Sequence, residues 1–150
     1  MNFSSEQELI DFGKTIGQAL LSELSTSKQS KVIELIGDVG AGKTTFTRGL
    51  AQGLGVKTPV TSPSFTISKR YAFPLASGKD GILSHYDFYR LGEPGIMTED
   101  LLESIAEPHS VIVIEWAETV DRILGNRDIY RITIKSDGSR TIKKTSIKDE

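Results

Sequence analysis

The sequence predicts an α/β fold in which a mainly parallel sheet is flanked by helices and extended by added β-hairpins. First, the apolar run at residues 32–36 leads through a glycine-rich segment into a helical pattern, in the order strand, loop, helix. Second, residues 111–114 are a continuous β-branched run, which is typical of a strand covered on both faces in a parallel sheet. Third, turn residues at 77–81 and 137–140 each separate two β-type segments, and this arrangement predicts two hairpins.

Each predicted element has a local signal. Ser5 and Glu8 have the spacing of a capping box, and apolar residues then recur at helical spacing, so the first helix is expected to run to about residue 24. Gly55 and Gly125 are placed to end helices, and Thr98 is placed to begin one. The remaining predicted elements, in chain order, are strand 32–36, helix 44–54, strands 65–73 and 82–88, helix 98–105, strand 111–114, short helix 117–124, and strands 129–135 and 141–147.

Length, charge and composition bound the class of protein. A chain of 150 residues suits a single domain, 1–150, with one sizeable core. The formal net charge of −2 gives no bulk electrostatic reason for nucleic-acid binding, and the absence of cysteine excludes disulfides, thiol chemistry and cysteine-type zinc sites. The sequence shows neither a secretory leader pattern nor a membrane-span pattern, so a cytoplasmic protein without a membrane partner is expected.

Residues 37–45 match the phosphate-binding P-loop pattern G-x-x-x-x-G-K-[ST], in the strand–loop–helix context that the motif needs. Glycines let several backbone N–H groups converge on a phosphate, and the positive end of the following helix points at the same group. Lys43 is expected to reach the β- and γ-phosphate oxygens, and the Thr44 hydroxyl to bind Mg²⁺. The motif therefore predicts a P-loop NTPase-like fold with a nucleoside triphosphate and Mg²⁺ as cofactors. The residues predicted here to contact the nucleotide are Asp38, Val39, Gly40, Ala41, Gly42, Lys43, Thr44 and Thr45.

A second acidic position is predicted at the end of the buried strand 111–114. Glu115 follows this strand directly, where P-loop enzymes carry the carboxylate that holds Mg²⁺ or its water. The alternative is a charged residue that merely emerges into solvent after the strand. Trp116 either packs under the loop or has a direct role at the site, and its sequence position does not separate the two.

Residues 85–90 read His-Tyr-Asp-Phe-Tyr-Arg and supply a third group of candidates. On a strand, His85, Asp87 and Tyr89 share one face. Asp87 could order the attacking water or the Mg²⁺ shell, or it could lie on an exposed hairpin face and pair with Arg90; the sequence favours neither. His85 by itself is interpreted as structural rather than catalytic.

The hydroxyl-rich segment 61–66 lies between the P-loop helix and the first hairpin. It is expected to be either a switch, ordered by the γ-phosphate and Mg²⁺, or an ordinary loop of turn residues. ATP is favoured over GTP because the sequence has no N-K-x-D motif. The arginines are scattered rather than gathered in a lid, which counts against a small-molecule kinase, the alternative activity. A nucleotide-gated binding module without useful chemistry is the third hypothesis.

Taken together, these motifs strongly resemble the bacterial TsaE (YjeE) family. The matching segments, in the order and spacing of that family, are the P-loop at 37–45, Ser-Pro-Ser-Phe-Thr at 62–66, His-Tyr-Asp-Phe-Tyr-Arg-Leu at 85–91 and Ile-Glu-Trp at 114–116. The P-loop alone is shared by many families, whereas the other three segments together are far more specific. One departure lies in the last hairpin, where Ser139 separates Gly138 from Arg140 and the family tends to have Gly and Arg together.

The resemblance implies an ATPase subunit of the machinery that makes N6-threonylcarbamoyladenosine at position 37 of tRNA. It implies the TsaB and TsaD proteins as partners, with TsaD transferring the threonylcarbamoyl group and tRNA as an indirect partner through the complex. ATP binding would promote docking, and Mg²⁺-dependent hydrolysis, slow in the isolated subunit, would reset the assembly. Ser62 and Thr66 would belong to a switch-like loop. The site residues that the resemblance implies are Lys43, Asp87 and Glu115 for catalysis, Thr44 and Glu115 for Mg²⁺, and Glu6, Trp116 and Gly138 for the nucleotide outside the P-loop.

Overall fold

The computed structural model describes residues 1–38, 40–61, 68–88, 96–117, 120 and 123–148. They form seven strands and three helices. In chain order these are β1 (Asn2–Phe3), α1 (Glu6–Thr26), β2 (Lys31–Ile36), α2 (Lys43–Leu54), β3 (Ser68–Pro74), β4 (Asp80–Asp87), α3 (Ile96–Ala106), β5 (Ser110–Glu115), β6 (Arg127–Ile134) and β7 (Arg140–Ile147).

All seven strands join one sheet in the order β1-β7-β6-β2-β5-β4-β3. The four central strands β6, β2, β5 and β4 are parallel to one another. Antiparallel pairing is confined to the two sides, where β3 pairs with β4, β7 with β6, and β1 with β7. The predicted α/β class, with its parallel centre and its two hairpins, is therefore confirmed. Because the central strands are parallel, their carboxyl ends meet at one edge of the sheet.

The two faces of the sheet are covered by different helices. Ile33 and Leu35 of β2 pack in a core with α1 and α2, whereas Val32 packs on the opposite face in a core with α3 and residues after β5. All six residues of β5 are buried. Because both faces of β5 are covered, its sequence is a continuous β-branched run and does not alternate between apolar and polar residues.

Helices α1 and α2 approach each other closely through glycines on both sides. A Cβ atom on Gly17 would lie well under 3.0 Å from the Leu50 carbonyl oxygen, and one on Gly53 would meet the Lys14 carbonyl oxygen equally closely. Gly13 and Gly49 repeat this arrangement one turn earlier in their helices. The backbones therefore touch where side chains would otherwise keep the helices apart. This contact brings the start of α1 beside the start of α2.

The N-terminus of α1 has the predicted cap, since the Ser5 hydroxyl accepts a hydrogen bond from the Glu8 backbone N–H at 3.2 Å. The helix continues to Thr26, two residues beyond the prediction. At 21 residues it is the longest helix in the described part of the chain. No helix there combines the length and the apolar composition that a membrane crossing needs.

Helix α3 is fastened to the sheet by a polar network. The Tyr86 hydroxyl contacts the Asp100 carboxylate and lies 2.7 Å from Ser104 Oγ. Ser104 Oγ also accepts a hydrogen bond of 2.8 Å from Arg70 on β3. Burial raises the pKa of Tyr86 to about 12, with the Asp100 contact adding to the shift, so the hydroxyl stays a donor. The network fixes the end of β4, where Asp87 follows Tyr86.

Two predicted helices are corrected by the structure, and one strand was not predicted. Helix α3 begins at Ile96, so Thr98 lies within its first turn rather than capping it. In the predicted helix 117–124, the described residues show i to i+3 bonds, from Val120 N to Ala117 O at 2.9 Å and from Ile123 N to Val120 O at 3.1 Å. Such bonds are those of tight 3₁₀ turns, not of an α-helix. Strand β1 was not predicted, because two residues carry no periodic pattern.

Candidate functional site

The candidate site begins with the loop between β2 and α2. Gly40 and Gly42 have φ values of 84° and 114°, a region that residues with a Cβ rarely adopt. The Ala41 N–H donates to the Asp38 carbonyl at 2.9 Å and closes the turn. Gly37 is required for a different reason, because a Cβ there would lie 2.7 Å from the Ile132 carbonyl oxygen. Val39, also predicted to contact the nucleotide, lies outside the described residues.

Lys43, the first residue of α2, directs its ammonium group into this loop. Its Nζ donates to the Gly37 carbonyl at 2.6 Å and lies 3.8 Å from Glu115 Oε1. The same atom lies 4.1 Å from the centroid of the Trp116 ring, a cation–π distance. The side chain is only 6% exposed. The structure therefore brings together three of the residues predicted for the site, Lys43, Glu115 and Trp116.

Glu115 is the last residue of β5 and is 4% exposed, so the solvent-exposed alternative is wrong. Its second oxygen, Oε2, lies 2.5 Å from His85 Nε2. His85 pairs in register with Val113 on the neighbouring strand, so its side chain is diagonal to Glu115 on the same sheet face. The carboxylate is thus held between an ammonium and an imidazole. Sequence reasoning gave His85 a structural role only and missed this contact.

Trp116 follows Glu115 with a φ of 58°, a left-handed conformation that is costly for a large side chain. The turn it makes ends β5 abruptly and places the indole ring beside Lys43. Backbone strain of this kind persists only where the surrounding structure holds it. The backbone turn at Trp116 therefore explains why its ring lies beside the loop.

Asp87 lies level with Glu115 at the end of the neighbouring strand. The two residues are register partners of the parallel pair β4–β5, and the Phe88 N–H donates to the Glu115 carbonyl at 3.1 Å. Asp87 is half-buried. Two carboxylates therefore share the edge of the sheet above which the loop lies. Tyr89, predicted to share this strand face, and Arg90, the alternative partner of Asp87, lie outside the described residues.

The first turn of α2 adds hydroxyl groups at the mouth of the site. Thr44 and Thr45 are half-buried, and Thr45 Oγ1 donates to Glu6 Oε1 at 3.4 Å. Arg48 lies 3.8 Å from the same Glu6 oxygen. Glu6 therefore lies beside the P-loop helix, at the start of α1. This position is compatible with the nucleotide contact predicted for it.

The predicted switch-like segment is described only at its first residue, Thr61; residues 62–67, including Ser62 and Thr66, lie outside the described residues. Thr61 is attached to β3 on two sides. Lys69 Nζ donates to its hydroxyl oxygen at 2.5 Å, and Tyr71 Oη lies 3.4 Å from both its backbone N and its carbonyl oxygen. The start of the segment is thereby fixed on the same side of the sheet as α2, because Tyr71 belongs to that core.

Arg140, at the start of β7, contacts the loop and was not among the predicted site residues. Its Nε donates to the Ala41 carbonyl at 2.7 Å, and Nη2 lies 3.5 Å from the Gly40 carbonyl. Gly138, which was predicted to contact the nucleotide, lies in the hairpin turn two residues before Arg140, with a φ of 87°. Strand alternation could have found Arg140, since it shares a sheet face with the buried Ile142.

Replacing Arg140 by alanine is expected to weaken ATP affinity about tenfold, since the loop loses a charge-assisted hydrogen bond to Ala41, worth about 1–2 kcal/mol. The loop carbonyls would then be free to turn away from the conformation in which the loop N–H groups are expected to bind phosphate. Isothermal titration calorimetry with Mg-ATP measures the change. Lys143→Ala, on the same strand but exposed, is the matched control and should leave the affinity unchanged.

The oxygen donors at the site fit Mg²⁺. No group of three or more His, Asp or Glu side chains that could cage a metal occurs within the described ranges. Mg²⁺ does not need such a cage, because it binds one or two carboxylates, keeps several waters and shares phosphate oxygens with its nucleotide. The Thr44 hydroxyl, next to Lys43 in the chain, and the Glu115 carboxylate, 3.8 Å from Lys43 Nζ, are hard oxygen donors of the required kind. Lys43, which is buried beside Glu115, is a cation of the kind that binds phosphate in other loops of this sequence pattern.

The chain is similar to proteins of one family over most of its length. The family model described as threonylcarbamoyl adenosine biosynthesis protein TsaE matches residues 3–144. The tRNA threonylcarbamoyladenosine biosynthesis protein TsaE of Haemophilus influenzae is 36% identical over 138 residues, which cover 92% of this chain and 83% of that protein. The protein of the same description from Bacillus subtilis is 39% identical over 126 residues, covering 81% and 73%.

A solved structure supports the same assignment. The crystal structure of Bacillus subtilis YdiB superposes with a TM-score of 0.65 at 32% sequence identity, and the match covers 99% of this chain and 84% of that one. The likeness therefore extends over the full sheet and its helices, not only over the loop. Since the family model also matches nearly the whole chain, this chain belongs to the TsaE family of tRNA threonylcarbamoyladenosine biosynthesis proteins.

Proposed function

We propose that this chain is the ATP-binding and ATP-hydrolysing subunit of the tRNA N6-threonylcarbamoyladenosine machinery, and that it docks on TsaB–TsaD under nucleotide control. The relatives named above are described as proteins of this biosynthesis. The observation that carries the proposal is the convergence of the Lys43 ammonium and the Glu115 carboxylate, 3.8 Å apart, beneath a loop of phosphate-binding sequence. A cation for phosphate and a carboxylate for a metal are the two charges that phosphoryl chemistry needs.

Each residue has a distinct part in the proposed reaction. The backbone N–H groups of the loop and Lys43 would bind the β- and γ-phosphates, with Lys43 turning from the Gly37 carbonyl to phosphate oxygens. Thr44 and Glu115 would hold Mg²⁺, which when bound neutralises charge on those oxygens. Asp87 would accept a hydrogen bond from the attacking water and orient it in line with the γ-phosphate. Coupling of this state to docking would pass through the segment that begins at Thr61.

The deciding experiment measures ATP hydrolysis by the purified chain with and without TsaB–TsaD from the same organism, in Mg²⁺ and with a chelator. Slow turnover that the partners accelerate and the chelator stops is the expected result. Turnover that is insensitive to the partners, in soundly folded protein, would contradict docking under nucleotide control. Transfer of phosphate from ATP to a metabolite in a substrate screen would instead favour a small-molecule kinase.

Replacing Asp87 by asparagine is expected to lower partner-stimulated hydrolysis about a hundredfold while changing ATP affinity less than threefold, because its carboxylate acts on the water rather than on the bound nucleotide. Single-turnover hydrolysis and calorimetry separate the two effects. Asp80→Asn, at the opposite end of the same strand, is the matched control. Normal hydrolysis by Asp87→Asn would remove the assigned role, and retained partner function without hydrolysis would favour a nucleotide-gated binding module.

A further inference from the structure

Positive charge is concentrated in the C-terminal hairpin of β6 and β7. Residues 127–148 contain seven Lys or Arg and only two Asp, whereas the whole chain has a formal net charge of −2. The rest of the chain therefore carries a clear excess of acidic side chains. The seven cations of the hairpin region are Arg127, Arg131, Lys135, Arg140, Lys143, Lys144 and Lys148.

Three of these cations are engaged within the fold. Arg127 Nε donates to Glu34 Oε1 at 2.8 Å in a buried ion pair. Arg140 contacts the phosphate-binding loop, as described above. Lys144 Nζ lies 3.8 Å from Asp128 Oδ2, on the sheet face that α1 and α2 cover. Positive charge that is available to a partner must therefore lie elsewhere on the hairpin.

Arg131 and Lys143 supply that charge. They are register partners across β6 and β7, so they lie side by side on one sheet face, and both are exposed. Neither forms an ion pair or a side-chain hydrogen bond with any residue that the structure describes. Like charges directly opposite one another destabilise a hairpin. Arg131 and Lys143 are thus a cationic pair with no compensating carboxylate among the described residues.

Around this pair the β7 side of the face is largely exposed, whereas Ile129 and Arg127 on β6, the register partners of Thr145 and Ile147, are buried. Residues 133, 141 and 145, all threonines, share it by register, and Ile147 at its end is 39% exposed. Helix α3 packs on the same side of the sheet, but over β4 and β5. Among the described residues, β1 pairs with β7 only at Arg140 and Thr141, so residues 143–147 form an open sheet edge beside the basic face. We call this surface, built from Arg131, Lys143, the three threonines and Ile147, the basic hairpin face.

We propose that the basic hairpin face is a docking surface for an acidic surface patch on a partner protein. The inference rests on the proposed function, since it names the surface through which nucleotide-controlled docking would occur. Charge complementarity supplies the steering. The threonines and the exposed Ile147 add polar and apolar contact area, and the open edge offers unpaired backbone groups. An incoming carboxylate between Arg131 and Lys143 would relieve their mutual repulsion. Arg140, three residues before Lys143 on the same strand, contacts the loop from the opposite face of the sheet.

An acidic protein fits this surface better than RNA does. The outer surface of α3 carries the exposed carboxylates Glu99 and Glu103, and α3 contains no Lys or Arg. It lies on the same side of the sheet, within about 20 Å of β7 at the usual strand spacing. A polyphosphate backbone extending over that distance would meet this negative surface, whereas a compact acidic patch would not. The basic hairpin face also has no aromatic side chain on which a base could stack.

The test is a double charge reversal, Arg131→Glu with Lys143→Glu, in the full chain. Its affinity for purified TsaB–TsaD in saturating Mg-ATP is measured by biolayer interferometry at 0.05 M and 0.3 M salt. The matched control is Lys57→Glu with Lys79→Glu, which makes the same charge change at exposed positions elsewhere. At low salt the hairpin variant should bind at least tenfold more weakly than the wild type and the control. The difference should shrink at high salt, and calorimetry should show unchanged ATP affinity.

The other outcomes are equally informative. If the wild type binds TsaB–TsaD and the hairpin variant binds as tightly, the inference is overturned and the proposed function stands. If the wild type fails to bind, both are overturned. A tRNA transcript that binds the isolated wild-type chain and is lost from the hairpin variant, with partner affinity unchanged, would assign the face to RNA. Concentration-dependent self-association abolished by the variant, again with partner affinity unchanged, would assign it to a second copy of the chain.

Discussion

Replacing Lys43 by alanine is expected to weaken Mg-ATP binding about a hundredfold or more and to abolish partner-stimulated hydrolysis, the largest functional effect that the site predicts. The ammonium group is the cation that the loop itself supplies, and charge-assisted bonds to phosphate are each worth about 1.5–3 kcal/mol. Its place is determined on three sides, by the Gly37 carbonyl, Glu115 and the Trp116 ring. Calorimetry with Mg-ATP gives the binding effect, and Lys57→Ala, an exposed lysine outside the loop, is the control.

The same substitution tests how Glu115 is stabilised. In Lys43→Ala the Glu115 carboxylate, which is 4% exposed, would lose the lysine and keep His85 as its near partner. Removing one member of a buried charged group is destabilising. A lower melting temperature is therefore expected together with the loss of binding. Lys43→Arg keeps the positive charge but has a longer, planar head group, so it should restore stability better than it restores turnover. Near-wild-type ATP affinity in folded Lys43→Ala protein would contradict the assignment of the loop.

Sequence reasoning succeeded where the signal is local. The loop glycines, the strand before them and the helix after them are neighbours in the chain, so one continuous pattern specifies all three. Glu115 was found for a related reason, because β5 is buried along its full length and its end is marked by a charge. The hairpins were found because turn residues separate their strands directly.

The contacts that were missed are non-local. His85 meets Glu115 only because β4 and β5 pair in one particular register, which a residue pattern does not specify. Arg140 reaches Ala41 across a sequence separation of 99 residues, since β6 runs parallel to β2 and returns β7 to the loop. The exposed pair Arg131 and Lys143 likewise becomes visible only once the strands are paired. A single sequence shows that these residues are present but does not give the distances between them.

The α1–α2 contact shows the same limitation. The glycines of both helices occupy positions where helix propensity alone would favour alanine by about 1 kcal/mol. A prediction from helix propensity alone therefore treats these glycines as destabilising residues in otherwise regular helices. Their role follows from the partner helix, whose backbone occupies the space that a side chain would need.

Replacing Gly53 by alanine is accordingly expected to destabilise the fold by about 2–4 kcal/mol, the largest structural effect predicted for a single added methyl group. The new Cβ would lie well under 3.0 Å from the Lys14 carbonyl oxygen. A backbone carbonyl in a helix cannot move away as the end of a flexible side chain can. The helices would have to separate, and the buried Leu50 and Leu54 would lose packing against α1. A fall in melting temperature of roughly 5–15 °C follows for a chain of this size. Gln52→Ala, on the exposed side of the same helix, should change the melting temperature little.

A stabilised Gly53→Ala protein would show that helix propensity outweighs the backbone contact, and hence that the two helices are farther apart than this contact requires. Because α1 also carries Glu6 to the mouth of the loop, ATP affinity should fall together with stability in Gly53→Ala but not in Gln52→Ala.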